Sequence, residues 1–167
     1  VLNLSLNEFR GIALDVSRAT QARFADVFLP MLLTGFEGRK RFGPSFLIAG
    51  TDGVHPGWAG GITMAHVFLK AMGVSGDLGA VHLDLVSGKA TGTGGHRVVS
   101  FRAGGAVIES ERYPYCAVQD RAVPDQPGPV LQVLPFFRDL SRFMLILHRS
   151  EEHTSELQSR GLISYAV

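Results

Sequence analysis

The stretch that decides the fold is DGVHPGWAG, residues 52–60. Its glycines and proline predict a tight turn, and the apolar residues that follow predict a helix from about Trp58 to Met72. Asp52 and His55 stand three residues apart in this turn. At that spacing the carboxylate can accept the Nδ1 proton of the imidazole, which fixes the tautomer and leaves Nε2 free to take a proton from a nucleophile.

The residues before this turn predict alternating helices and strands. An amphipathic helix is expected over Leu6–Ala19, because its apolar residues recur at spacings of three and four. A strand at Arg23–Phe28, a short helix at Pro30–Phe36 and a second strand at Ser45–Ala49 follow. This order is typical of a parallel α/β sheet.

Beyond Gly76 the pattern changes to the period of two that strands show. Five strands are predicted there, at Val81–Leu85, His96–Phe101, Ala106–Glu111, Val130–Leu134 and Phe143–Leu147. A proline-rich loop is expected at Pro124–Pro129. The chain is therefore predicted to be α/β over residues 1–75, with a small antiparallel β extension over residues 76–148.

The composition indicates a globular protein. Of the 167 residues, 46% are hydrophobic and 19% are charged, and the formal net charge is +1. This balance argues against a nucleic-acid partner, and the basic run Arg39-Lys40-Arg41 is too short to change that conclusion. Cys116 is the single cysteine, which excludes an internal disulfide. No apolar run reaches the roughly 18 residues that predict a membrane span.

Both ends of the sequence suggest a fragment. The chain begins at Val1 without a methionine, which indicates truncation. The sequence therefore does not define where the parent protein is located, and a secreted or periplasmic location is compatible with it. Residues 149–159, RSEEHTSELQS, resemble the translation of a common sequencing-adapter oligonucleotide. Residues 149–167 are therefore expected to be a non-native tail that adds no core.

The residues around Asp52 and His55 resemble the SGNH/GDSL family of serine ester hydrolases. The match rests on DGVHPGWAG and continues into the helix through Met64-Ala65 and Phe68-Leu69-Lys70, and it covers roughly residues 5–75. The resemblance implies that these residues form the C-terminal part of a flavodoxin-like three-layer α/β/α domain. It also implies hydrolysis of acetylated sugars or other acyl esters through a serine acyl-enzyme, with His55 as general base and then acid, Asp52 orienting it, and no metal or organic cofactor. The β-rich remainder resembles the C-terminal extension of some bacterial members.

The family's other catalytic motifs do not occur in this sequence. The Gly-Asp-Ser block that carries the nucleophile, and the glycine and asparagine blocks of the oxyanion hole, are missing. No serine is therefore assigned as nucleophile, and the chain as given is expected to be inactive.

Several alternatives stay open at this point. Asp52 and His55 by themselves fit a structural turn, and Trp58 fits packing at the helix start better than a place in a substrate cleft. A metal site built from His55, His82 and His96 has no supporting spacing, and His66 lies eleven residues from His55. The alternative function is a non-catalytic β module that binds carbohydrate or a partner, with Tyr113 and Tyr115 as candidate contact residues.

Overall fold

The structure is a computed structural model that describes residues 2–102, 105–116, 127–148 and 155–158. It is a mixed α/β protein, as the sequence predicts. The elements in chain order are α1 (Leu2–Thr20), α2 (Phe28–Phe42), α3 (Trp58–Ala71), β1 (Asp77–Asp84), β2 (Ala90–Gly92), β3 (His96–Arg102), β4 (Gly105–Ser110), α4 (Pro127–Leu131), α5 (Phe136–Leu140), β5 (Arg142–His148) and β6 (Ser155–Gln158).

The contacts divide the described residues into two units. The first holds residues 2–75 and 127–136, and the second holds residues 76–102, 105–116, 137–148 and 155–158. Residues 127–136 therefore belong with the helices of the first unit, although the sequence assigned them to the β extension.

The first unit is built on helices α2, α3 and α4, which contact one another. Its core side chains are all at most 8% exposed and include Thr34, Phe46, Ala59, Ile62, Thr63, His66, Val130, Leu134 and Phe136. Thr63 is fully buried, and its hydroxyl donates a hydrogen bond to the carbonyl of Ala59. Because the hydroxyl is paired, its burial costs little folding free energy.

Helix α2 is longer than the Pro30–Phe36 segment predicted from the sequence. Gly35 lies inside the helix, where a Cβ would come within 2.8 Å of the Ile48 side chain. A Cβ at Gly38 would overlap the ring of Phe46 at 2.1 Å. Both glycines let the segment before the Asp52 turn pack closely on α2.

The two strands predicted in the first unit are wrong. Residues 22–27 and 46–50 carry no strand, and residues 44–45 form a turn. A strand needs a neighbouring strand to pair with, and the described residues of this unit contain none. The flavodoxin-like sheet expected from the family resemblance is thus not among the described residues.

The strand predicted at Val130–Leu134 is also wrong. Pro127–Leu131 forms the short helix α4, and the Leu134 N–H donates to the Val130 carbonyl at 2.8 Å. Val130 and Leu134 are buried at a spacing of four, which places them on one face of a helical turn. Pro127 and Pro129 are tolerated because the first helical turn does not need their N–H groups. The predicted loop residues 124–126 lie outside the described residues.

Two helices leave large apolar residues exposed. Helix α1 forms over a longer range than predicted, but Phe9 in its apolar stripe is 66% exposed, and Leu6 and Val16 are exposed as well. On α3 the buried residues are Ala59, Gly60, Ile62, Thr63 and His66. Phe68 and Met72, two of the large apolar residues at its C-terminal end, are exposed. No described helix is long and apolar enough to cross a membrane.

The second unit contains two sheets. Strands lie in the order β2-β1-β5-β6 in one sheet, and β3 pairs with β4 in the other. Strands β1, β3, β4 and β5 confirm the strands predicted nearest to them, within a few residues at each end. Val81 and Leu83 are buried on alternate positions of β1, as the period of two predicts.

The sheet is mixed, whereas the sequence predicted an antiparallel extension. Strand β5 runs parallel to β1, with Val81 opposite Leu145, while β2 and β6 are antiparallel to their neighbours. A parallel pair requires a long crossover connection, and the chain between β1 and β5, which includes β2, β3, β4, α4 and α5, provides it. Within the predicted tail, only the backbone of Ser155–Gln158 is described, where it pairs with β5 as β6. The non-native origin of residues 149–167 stays a prediction.

Candidate functional site

The loop between α2 and α3 holds the candidate site. Gly50 and Gly53 have φ angles of +71° and +76°, which glycine adopts at little cost. A Cβ at Gly50 would lie 2.2 Å from the carbonyl oxygen of His55, so the loop closes on itself at this point. The backbone therefore reverses direction between Asp52 and His55, which brings the two side chains together.

Asp52 binds the turn through both carboxylate oxygens. Its Oδ1 accepts the backbone N–H groups of Val54 at 2.9 Å and His55 at 3.0 Å. Its Oδ2 lies 2.6 Å from Nδ1 of His55. The predicted contact between the two side chains is therefore confirmed, with the carboxylate on the Nδ1 side. Their catalytic role stays a prediction.

The hydrogen bonds hold Asp52 in its ionised form. The His55 side chain first, and then the backbone N–H groups of His55 and Val54, lower the pKa of Asp52 to about 2. An ionised carboxylate can only accept hydrogen bonds, so Nδ1 must carry the proton that it donates to Oδ2. In neutral His55 the Nε2 lone pair is then available as a base.

Nε2 of His55 faces solvent. The imidazole is 86% exposed and the Asp52 side chain 52%. Among the described residues Nε2 has no hydrogen-bond partner, and no described serine hydroxyl bonds to the ring. The pair is thus accessible to a nucleophile or a substrate from outside these residues.

The other histidines considered from the sequence have different surroundings. His66 is buried on α3 against Phe136, with ring centroids 6.0 Å apart. His96 is buried too, and its ring nitrogens lie 2.8 Å from the Ser110 hydroxyl and 2.8 Å from the Leu78 carbonyl. Among the described residues no group of three or more His, Cys, Asp or Glu side chains is arranged to hold a metal ion.

An apolar groove begins two residues after His55. It has a volume of about 490 Å³ and is lined by Gly57, Trp58, Gly61, Ile62 and Ala65. Trp58, at the start of α3, is 60% exposed and lines this groove. A role in a substrate cleft stays a prediction. Gly61, Ile62 and Ala65 were not identified from the sequence as lining residues, because the spacing of residues along the chain does not show where a groove opens on the surface.

A second polar cluster in the β-rich unit was also missed. The rings of His82 and His148 stack with centroids 5.7 Å apart, and Nδ1 of His82 lies 3.4 Å from Nε2 of His148. The Ser87 hydroxyl donates a hydrogen bond to Asp84 at 2.5 Å. This bond is the largest of the causes that lower the pKa of Asp84 to about 2. The histidines meet because β1 and β5 pair in parallel, which the sequence did not predict.

The remaining surface candidates carry little chemistry. In the run Arg39-Lys40-Arg41, Arg39 donates to the Phe46 carbonyl, and Arg41 donates to the carbonyl and side-chain oxygens of Gln132. Two of the three cations thus make internal hydrogen bonds. Tyr113 and Tyr115 are exposed, but they lie after β4 and not on a strand.

Comparisons with known proteins bear on the fold. No protein-family model matches the sequence, and neither does any curated protein. A solved structure described as "BT4096 a gut microbial diltiazem-metabolizing enzyme" is similar, with a TM-score of 0.68 and 21% sequence identity. The likeness covers 86% of this chain and 34% of that one, so this chain spans about a third of that protein's length. At this identity the likeness supports a shared mixed α/β fold.

Proposed function

We propose that this chain carries the Asp–His half of the catalytic triad of a serine ester hydrolase of the SGNH/GDSL type. The supporting observation is the 2.6 Å contact between Asp52 Oδ2 and His55 Nδ1, made by an ionised carboxylate, with Nε2 open to solvent. In His96, by contrast, both ring nitrogens are engaged in hydrogen bonds, so neither is open to an incoming hydroxyl.

The proposed chemistry uses His55 twice. Nε2 takes the proton of a serine hydroxyl as the serine oxygen attacks the ester carbonyl. The imidazolium then returns that proton to the departing alcohol, which leaves an acyl-enzyme. In the second half His55 takes a proton from water as the water oxygen attacks the acyl carbonyl, and it then returns that proton to the serine oxygen, so the acyl–serine bond breaks and the acid leaves. In both halves Asp52 stabilises the imidazolium and holds the ring in place.

The nucleophile and the oxyanion donors are proposed to come from polypeptide that precedes Val1. The family resemblance supports this, because its serine block lies N-terminal to the Asp-x-x-His motif, and the similar solved chain is about two and a half times as long. In that scheme residues 1–75 complete a flavodoxin-like domain, and residues 149–167 are not part of the native protein. Acetylated sugars and other acyl esters are the proposed substrates.

Labelling with a fluorophosphonate probe tests this function. In a full-length protein the nucleophilic serine should attack the phosphorus atom and release fluoride, and His55→Ala should slow labelling by several orders of magnitude. His82→Ala is the matched control, since this histidine lies on β1 in the other unit and should leave the labelling rate unchanged. A full-length protein that is not labelled, or is labelled equally fast without His55, would contradict the proposal.

A further inference from the structure

Two adjacent glycines in the first turn of α3 differ in what surrounds them. A Cβ at Gly60 would lie 2.2 Å from the Ile48 carbonyl oxygen and 2.4 Å from the Pro56 Cβ, so packing requires glycine there. A Cβ at Gly61 would meet nothing within 4 Å, and the φ of Gly61 is not positive. Glycine in a helix costs stability relative to alanine, and neither packing nor backbone conformation explains this one.

The missing side chain at Gly61 leaves the apolar groove open. Gly57 and Gly61 present bare backbone, while Trp58, Ile62 and Ala65 supply apolar contacts. Its volume of about 490 Å³ lies within the range of small-molecule sites. An aromatic ring stacks well on an exposed indole, and the two glycines add no side chain that would hold such a ring away from Trp58.

We infer that this groove binds a planar aromatic group of the ester substrate, and that Gly61 sets this specificity. The groove begins two residues after His55, so a single loop and helix start supply both the binding surface and the Asp–His pair. The inference rests on the proposed function for the ester, but binding of the ring is measurable without catalysis.

The single tryptophan makes the binding test direct. Trp58 is the only tryptophan, so its indole N–H gives one side-chain signal in a ¹⁵N–¹H spectrum. Acetanilide, the amide analogue of phenyl acetate, should shift this signal saturably. N-methylacetamide, which has the same acetyl group but no ring, should leave it in place. A signal that both probes shift equally, or that neither shifts at millimolar concentration, overturns the inference.

Variants of Gly61 test its role. Gly61→Leu fills the groove and should raise the Kd for acetanilide at least about tenfold, while Gly61→Ala should raise it less. Gly11→Leu is the matched control, because Gly11 also lies within a helix, with nothing within 4 Å of a Cβ, and does not line the groove. Unchanged affinity in both Gly61 variants, with folding checked by circular dichroism, would contradict the inference.

His55→Ala separates this inference from the proposed function. The variant should bind acetanilide as the unmodified chain does, because His55 does not line the groove. If the ring binds but a full-length protein hydrolyses no ester, the groove remains a binding site and the hydrolase proposal fails. If esters are hydrolysed while acetanilide does not bind, the groove inference fails alone.

Discussion

Asp52 makes three hydrogen bonds to residues two and three positions further along the chain, and the shortest, 2.6 Å, joins its Oδ2 to Nδ1 of His55. The two hydrogen bonds from backbone N–H groups to Oδ1 hold the carboxylate in place independently of the imidazole. The histidine is therefore oriented by a group that is itself held by the turn, which is how a base is kept ready in a solvent-exposed loop.

The first prediction concerns the ionisation of Asp52. Because its pKa is lowered to about 2 in the folded chain, the turn should be fully stabilised above the ordinary aspartate pKa of 3.8 and lose this stabilisation as the pH falls through about 2. A ¹³C titration of the carboxyl carbon should show the low midpoint. In His55→Ala the midpoint should rise but stay below 3.8, since the backbone bonds remain. A midpoint near 3.8 in both proteins would contradict the described geometry.

The second prediction concerns the imidazole tautomer. Neutral His55 should carry its proton on Nδ1, because the only described partner of that nitrogen is an ionised acceptor. The ¹⁵N shifts of the two ring nitrogens report this directly. Asp52→Asn should weaken the preference, since an amide can donate as well as accept. A predominant Nε2–H tautomer in the unmodified chain would mean that Asp52 does not orient the ring.

The third prediction concerns loop closure at Gly50. Gly50→Ala should destabilise the first unit by more than the roughly 1–2 kcal/mol expected for a positive φ alone, because its Cβ would also strike the His55 carbonyl. Gly73→Ala is the control, with a φ of +77° and nothing within 4 Å of a Cβ. Urea denaturation measures both. Equal losses would show that the loop is not tightly closed.

The fourth prediction concerns the exposed apolar stripes on α1 and α2. Phe9 and Phe36 are about two-thirds exposed, and their helices expose further apolar residues, namely Leu4, Ile12, Val16 and Leu33. Exposed apolar area of this kind favours association, so the chain should self-associate as its concentration rises. Phe9→Ser should reduce this in sedimentation velocity, whereas Val107→Ser, on the exposed face of β4, should not. Equal effects would rule out the stripes as the cause.

The sequence predicted those features that depend on nearby residues. The contact between Asp52 and His55 follows from their separation of three residues within one turn. Helix α3 follows from the run of apolar residues that ends before Gly73. The strands β1, β3 and β4 follow from the period of two and the glycines between them.

Features that depend on distant residues were not predictable in the same way. Val130 to Leu134 holds apolar residues at spacings that fit a helical turn as well as a strand, and the structure has the helix. The formation of helix α1 depends on residues close together in the sequence. Burial of its apolar stripe depends instead on the parts of the fold that lie beside the helix. The groove depends on the fold around Gly61, which no local pattern describes.

Hydrolysis of p-nitrophenyl acetate tests the central claim most directly, measured for the 167-residue chain and for a full-length protein, each with and without His55→Ala. The chain alone should show no turnover above background, because a triad without its nucleophile and oxyanion donors loses several orders of magnitude in rate. The full-length protein should hydrolyse the ester, and His55→Ala should lower kcat by about 10⁴-fold or more. Asp84→Asn, which alters a similarly hydrogen-bonded aspartate of the β-rich unit, should leave kcat unchanged. A full-length protein whose turnover is indifferent to His55→Ala would contradict the catalytic role of the Asp52–His55 pair.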